Sequence, residues 1–84
     1  MNLNKINPKE QLPLMKLNKI NQLKKQYEVG FIFAMAMYNT IDRALAYETL
    51  IAQVQKEYDC TVQQAKLVLK GPKPAKLKID LDGL

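Results

Sequence analysis

Histidine is absent from the 84 residues, and cysteine occurs once, at Cys60. Histidine is the usual general base near neutral pH, and Cys60 has neither a histidine nor a second cysteine as a partner. The single cysteine excludes an internal disulfide and a cysteine–histidine zinc site. With three glycines, the chain has no glycine-rich phosphate loop. We therefore expect no enzyme, metal site or cofactor, and Cys60 is expected to be a buried packing residue.

Arginine is almost missing too, since Arg43 is the sole arginine among 13 lysine and arginine residues. The net charge of +5 is uneven, because residues 1–27 and 61–84 are rich in lysine while 28–60 are net acidic. Basic ends around an acidic middle predict a polyanionic partner such as DNA, or an acidic protein surface. The excess of lysine and asparagine is typical of AT-rich coding and suggests a phage- or plasmid-type protein.

No long hydrophobic run is present. The apolar stretch 29–38 is about half the length that a bilayer crossing needs, and the N-terminus has no apolar core of a signal peptide. A chain of 84 residues has the size of one domain with a small core. We expect one soluble, cytoplasmic domain.

The stretch from Val29 to Tyr58 is the most apolar part of the chain and predicts its central helix. From Phe33 onward its residues recur at steps of four and three, the repeat of helices packed lengthwise. The repeat consists of Phe33, Met37, Thr40, Ala44, Tyr47, Ile51, Val54 and Tyr58. Two interpretations fit this pattern: a single helix over 31–58, or two helices divided at Asn39, which is a good N-cap residue. We expect the repeat to leave apolar surface near 51–58 uncovered, which predicts a homodimer.

A first helix is expected to begin at Pro13, because proline suits the first helical position. Gly30 is its expected end, since glycine accommodates a left-handed cap. Phe31, Ile32 and Phe33 follow. They are expected to be buried, because nearly every side of this part of the chain is apolar.

The last residues follow a different pattern. Residues 76–82 alternate, with Leu77, Ile79 and Leu81 on one side and charged residues on the other. This period is typical of a half-buried strand, but nothing else in the chain predicts a strand to pair with it. Two interpretations stay open: the segment is a strand that pairs with another chain, or it is a tail that lies on the helices. The predicted fold is all-α: a three- or four-helix domain at 12–71 with a long central helix, a flexible arm at 1–11 and an extended tail at 72–84.

Residues 54–69 combine apolar positions, a short polar turn and a polar residue that opens a new helix. Thr61 and Gln64 have the spacing of a capping box, which predicts a helix from Thr61 to Lys70 that Gly71 ends in a left-handed turn. Over about residues 50–70 the chain resembles the helix-turn-helix of DNA-binding regulators. The resemblance assigns buried positions to Val54, Tyr58, Cys60, Ala65 and Val68.

This resemblance implies that the helix opened by Thr61 is a recognition helix. Its candidate DNA-binding residues are Thr61, Gln63, Gln64, Lys66, Lys70 and Lys73. Glutamine suits adenine edges, and lysine suits guanine or phosphate. Asp59 stands at the turn position usually taken by glycine, and Gln55 stands where the first helix usually has a small residue.

Another class of function also fits, a small helical protein-binding module that acts as an inhibitor or adaptor. It would use Lys16, Lys19 and Lys24 on the first helix, or would add residues 76–82 as a strand to a partner's sheet. A structural subunit that assembles through the apolar repeat is a third interpretation.

Overall fold

A computed structural model describes residues 13–84, which form four helices and no strand. The helices are α1 (Leu14–Tyr27), α2 (Phe31–Tyr38), α3 (Arg43–Tyr58) and α4 (Val62–Lys70). The all-α prediction is confirmed. The predicted arm at 1–11 lies outside the described residues.

The four helices form two hairpins, α1–α2 and α3–α4, each joined by three residues. In the first hairpin the helices run back along each other. The Lys16 ammonium near the start of α1 lies 5.5 Å from the ring centroid of Tyr38 at the end of α2. The two hairpins meet where the backbone N–H of Gly30 donates to the carbonyl of Leu69, at 2.7 Å.

The central helix is divided, so the long uninterrupted helix is wrong and its two-helix alternative is correct. Thr40 donates its hydroxyl to the carbonyl of Met37 at 2.8 Å, and Asp42 accepts the backbone N–H of Leu45 at 3.0 Å. Short polar side chains compete in this way for groups that a continuing helix would use. Asp42, and not Asn39, is the N-cap of α3.

The break also ends the predicted apolar repeat. Ala44 is exposed, whereas Ala46 and Leu50, which lie off the repeat, are fully buried. Ile51 and Val54 are buried within the domain, and Tyr58 is 36% exposed. The apolar surface expected near 51–58 is therefore largely covered, and the homodimer stays a prediction.

The core lies between the two hairpins. Its large fully buried side chains are Phe33, Ile20, Met37, Leu50, Leu69, Leu77 and Val54. Among the three residues that open α2, only Phe33 is fully buried, while Phe31 is half-buried and Ile32 is 42% exposed. The expectation that all three are buried is wrong for Ile32 and holds only in part for Phe31, because Ile32 lies on the exposed side of α2.

Of the two glycines that were expected to end helices, Gly71 does so and Gly30 has another role. The left-handed cap of α1 is Glu28, with φ of 53°, and Gly30 is extended at φ of −73°. A Cβ on Gly30 would stand 2.5 Å from the carbonyl oxygen of Gly71. Gly30 thus serves the close approach of two backbones. Gly71 does end α4, but with an extended φ of −93°.

Residues 71–84 form neither helix nor strand. Leu77 is 2% exposed, and Ile79 and Leu81 are half-buried against the core. The side-chain amide of Gln53 donates to the backbone carbonyl of Asp80 and accepts its N–H. This amide satisfies backbone groups that a neighbouring strand would otherwise pair, which explains why the alternating pattern forms no strand.

Candidate nucleic-acid interface

The turn between α3 and α4 has the local chemistry that the sequence predicts. Asp59 is left-handed, with φ of 50°. The Thr61 hydroxyl accepts the backbone N–H of Gln64 at 3.2 Å, and the Gln64 side chain accepts the N–H of Thr61 at 2.9 Å. This reciprocal pair is a capping box, so the predicted start of the helix is confirmed.

Gln55 has a role that the sequence pattern does not indicate. Its side-chain N–H₂ donates to the carbonyl of Cys60 at 3.2 Å and ties the turn to α3. Cys60 is half-buried and directs its thiol toward the carbonyl of Val54, at 4.0 Å. Gln55 is larger than the small residue usual at this position, and it is therefore accommodated by a hydrogen bond across the turn. Cys60, expected to be a buried packing residue, packs against the core but is only half-buried, and its low thiol reactivity stays a prediction.

The inner face of α4 agrees in part with the helix-turn-helix assignment. Val54 and Ala65 are fully buried, and Val68 is half-buried. Tyr58 is exposed at the surface, where the Lys76 ammonium lies 5.1 Å from its ring centroid. The sequence missed Leu69, which is fully buried although the resemblance did not assign it a buried position.

The outer face of α4 brings three of the predicted residues together. Gln63, Lys66 and Lys70 are exposed and line one side of a groove of about 370 Å³. The groove also contains Leu67 of α4, together with Tyr27, Glu28 and Tyr47 from the other helices. The exposed face therefore offers an amide, two ammonium groups and an apolar side chain at its centre.

The other three predicted residues are engaged within the protein. Thr61 and Gln64 are exposed but use their side chains on each other in the capping box. The Lys73 ammonium donates to the carbonyl of Leu77 at 2.7 Å and to that of Pro74 at 3.1 Å. Lys73 thus holds the segment after α4 and does not extend from the surface as an independent charge.

Charge on the groove is mainly positive, with one opposing carboxylate. The Lys70 ammonium lies 3.5 Å from Glu28, and both side chains are at least half exposed. Exposed pairs of this kind contribute about 0–1 kcal/mol, so a phosphate can displace Glu28.

Two tyrosines form the far wall of the groove, a feature that was not predicted from the sequence. The rings of Tyr27 and Tyr47 have centroids 5.0 Å apart and are tilted by 40°. Burial raises the pKa of the Tyr47 hydroxyl above its ordinary value, and the nearby Glu28 carboxylate adds to the rise. Tyr47 therefore stays neutral at physiological pH, as a hydrogen-bonding group.

Residues 13–84 contain no cluster of three or more side chains that could hold a metal ion. None of their helices has the length and apolarity to cross a membrane. Comparison of the chain with protein-family models, curated proteins and solved structures found no match.

Proposed function

We propose that this chain is a small basic DNA-binding protein, a regulatory or accessory protein of the phage or plasmid type that acts in the cytoplasm. The outer face of α4 carries the proposal. Gln63, Lys66 and Lys70 are exposed there, while Ala65 and Leu69 on the inner face are fully buried. A helix held by the core on one side and offering amide and ammonium groups on the other has the form of a recognition helix.

Each exposed residue of α4 has a separate role in this proposal. Gln63 hydrogen-bonds an adenine edge, and Lys66 contacts guanine or phosphate. Leu67, which is 65% exposed at the centre of the face, packs on a thymine methyl group. Lys70 contacts phosphate at the end of the helix. Thr61 and Gln64 act indirectly, since their capping box fixes where the helix begins.

The proposal includes a homodimer, because helix-turn-helix proteins bind paired half-sites. The large exposed apolar side chains suited to such an interface include Leu14, Met15, Ile41 and Leu45. Leu14 and Met15 directly precede Lys16, which lies over Tyr38 at the end of the first hairpin away from α4. We expect a dimeric mass by sedimentation, and a monomeric mass at high micromolar concentration would contradict the dimer.

The binding proposal is tested by fluorescence anisotropy on labelled duplex fragments over a range of salt concentrations. Lys66→Ala is expected to weaken binding and to reduce the slope of log affinity against log salt by about 0.9, the value for one phosphate contact. Lys78→Ala is the matched control, because Lys78 is exposed in another groove, beside Gln53. Gln63→Ala is expected to cost about 1–3 kcal/mol of sequence preference.

Failure of the wild-type protein to retain any duplex at low salt would end the DNA-binding proposal. Equal losses of affinity in Lys66→Ala and Lys78→Ala would instead indicate that binding depends on overall charge and that α4 is not its specific site.

A protein-binding module is the second candidate, favoured by the exposed apolar side chains of the first hairpin. Ile41 is 96% exposed in the loop between the hairpins. Strand addition by residues 76–82 would require Leu77 to leave the core and Asp80 to leave Gln53. An inhibitor or adaptor would therefore use the first hairpin together with the loop that follows it, and Ile41→Ser would abolish partner binding without changing DNA retention.

A further inference from the structure

We infer that Lys24 in the last turn of α1 joins Lys70 in a second contact with the sugar-phosphate backbone of the DNA. This inference rests on the proposed function and extends its interface to the other hairpin. Lys24 and Lys70 lie 46 positions apart in the chain, yet both line one shallow cavity of about 330 Å³. The cavity is where the junction of α1 and α2 meets the end of α4.

Backbone contacts hold the two lysines in a fixed relation. The N–H of Gly30 donates to the carbonyl of Leu69 at 2.7 Å, which joins the start of α2 to the residue before Lys70. The N–H of Val29 donates to the carbonyl of Lys24 at 3.2 Å. Two hydrogen bonds therefore connect the helix turn that carries Lys24 to the one that carries Lys70. The backbone positions of the two lysines are therefore fixed relative to each other, and a ligand has their side chains left to order on binding.

The charge of the cavity selects an anion. Its lining contains three lysines and no carboxylate, and the ammonium of Lys73 is bonded to backbone carbonyls. Lys73 adds its positive charge to the cavity, while Lys24 and Lys70 are the two lining lysines whose ammonium groups are not bonded to backbone carbonyls. Glu28 lies outside the lining and contacts Lys70 in an exposed pair at 3.5 Å.

The cavity adjoins the proposed recognition face, because Lys70 lines both it and the groove of α4. Lys66 stands one helical turn before Lys70, so positive charge continues from α4 to the end of α1. A DNA strand carries a phosphate at every nucleotide, and phosphate contacts fix how a protein lies on the duplex. The backbone beside α4 is thus the polyanion that this arrangement fits.

The test uses Lys24→Met, which keeps the apolar stem of the half-buried side chain and removes the charge. The slope of log affinity against log salt for a labelled duplex is expected to fall by about 0.9. Lys19→Met is the matched control on the same helix, since Lys19 is exposed and outside the cavity. Circular dichroism verifies that both variants fold, and Lys24→Gln replaces Lys24→Met if the latter does not.

A gain of function provides an independent measurement. Glu28→Gln removes the carboxylate that competes for Lys70, so binding at low salt is expected to tighten about two- to fivefold, which corresponds to less than 1 kcal/mol. Misfolding cannot produce a tighter complex.

The outcomes separate this inference from the function on which it rests. An unchanged slope in Lys24→Met beside a reduced slope in Lys66→Ala would overturn the inference and leave the α4 proposal standing. Equal effects of Lys24→Met and Lys19→Met would also overturn it, since they indicate diffuse charge. Absence of duplex binding by the wild type would remove the proposed function, and the inference with it.

Discussion

The two hairpins turn in the same way and are stabilised in different ways. Each junction has three residues and begins with an acidic residue in the left-handed conformation, Glu28 at φ of 53° and Asp59 at φ of 50°. The third residue differs. Thr61 closes a capping box within its own helix, whereas Gly30 has no side-chain cap and lies against Gly71. The second hairpin can therefore close locally, while the first needs the second in place.

The second helix of each hairpin extends the comparison. Ala34 and Ala65 stand four residues after their N-caps, and both are fully buried. Around them, α2 is almost wholly apolar and contributes Phe33 and Met37 to the core, while α4 has polar residues on its outer face. The same hairpin geometry thus contributes mainly to the core in the first case and presents a polar, exposed face in the second.

The largest expected effect on stability is at the first junction, between α1 and α2. Gly30→Ala places a Cβ 2.5 Å from a backbone oxygen, and the hairpins must move apart. We expect the free energy of unfolding to fall by about 3 kcal/mol, measured by urea unfolding followed by circular dichroism. Gly71→Ala is the control, because its Cβ would meet its nearest atom at 3.8 Å. Similar losses in both variants would contradict a special role for the close approach.

The second junction should respond to loss of its cap. Thr61→Ala removes the hydroxyl that accepts the N–H of Gln64 and is expected to cost about 1 kcal/mol. Thr61→Gly makes the position resemble Gly30 and is expected to cost a few tenths of a kcal/mol. Equal stability of Thr61→Ala and the wild type would show that the capping box does not stabilise α4.

The smallest expected effect is a gain in stability at both junctions. Asp59→Gly and Glu28→Gly remove the steric cost of a left-handed side chain, so each is expected to raise the free energy of unfolding by about 0.5–1 kcal/mol. Melting curves of the two variants provide the comparison. A loss in one variant alone would indicate that its side chain makes a contact worth more than the strain.

Prediction from the sequence succeeded where the information is local. The start of α4 followed from Thr61 and Gln64, which are three residues apart, and the left-handed turn was expected at Asp59. The break after Tyr38 was ambiguous, because the apolar repeat continues across it. In the candidate site, the resemblance to a helix-turn-helix implied six residues, and the structure brings three of them, Gln63, Lys66 and Lys70, together on the outer face of α4.

The sequence by itself determined that the described chain is helical, where α4 begins and which of its faces is polar, because caps and period act between residues three or four apart. Tertiary structure alone decided that Gly30 is needed for a backbone contact and that Gln53 satisfies Asp80. It also decided that Lys24 stands beside Lys70. Such contacts join residues 27 to 46 positions apart. They cannot be predicted from a local sequence pattern, because only the packing of one hairpin on the other brings these residues together.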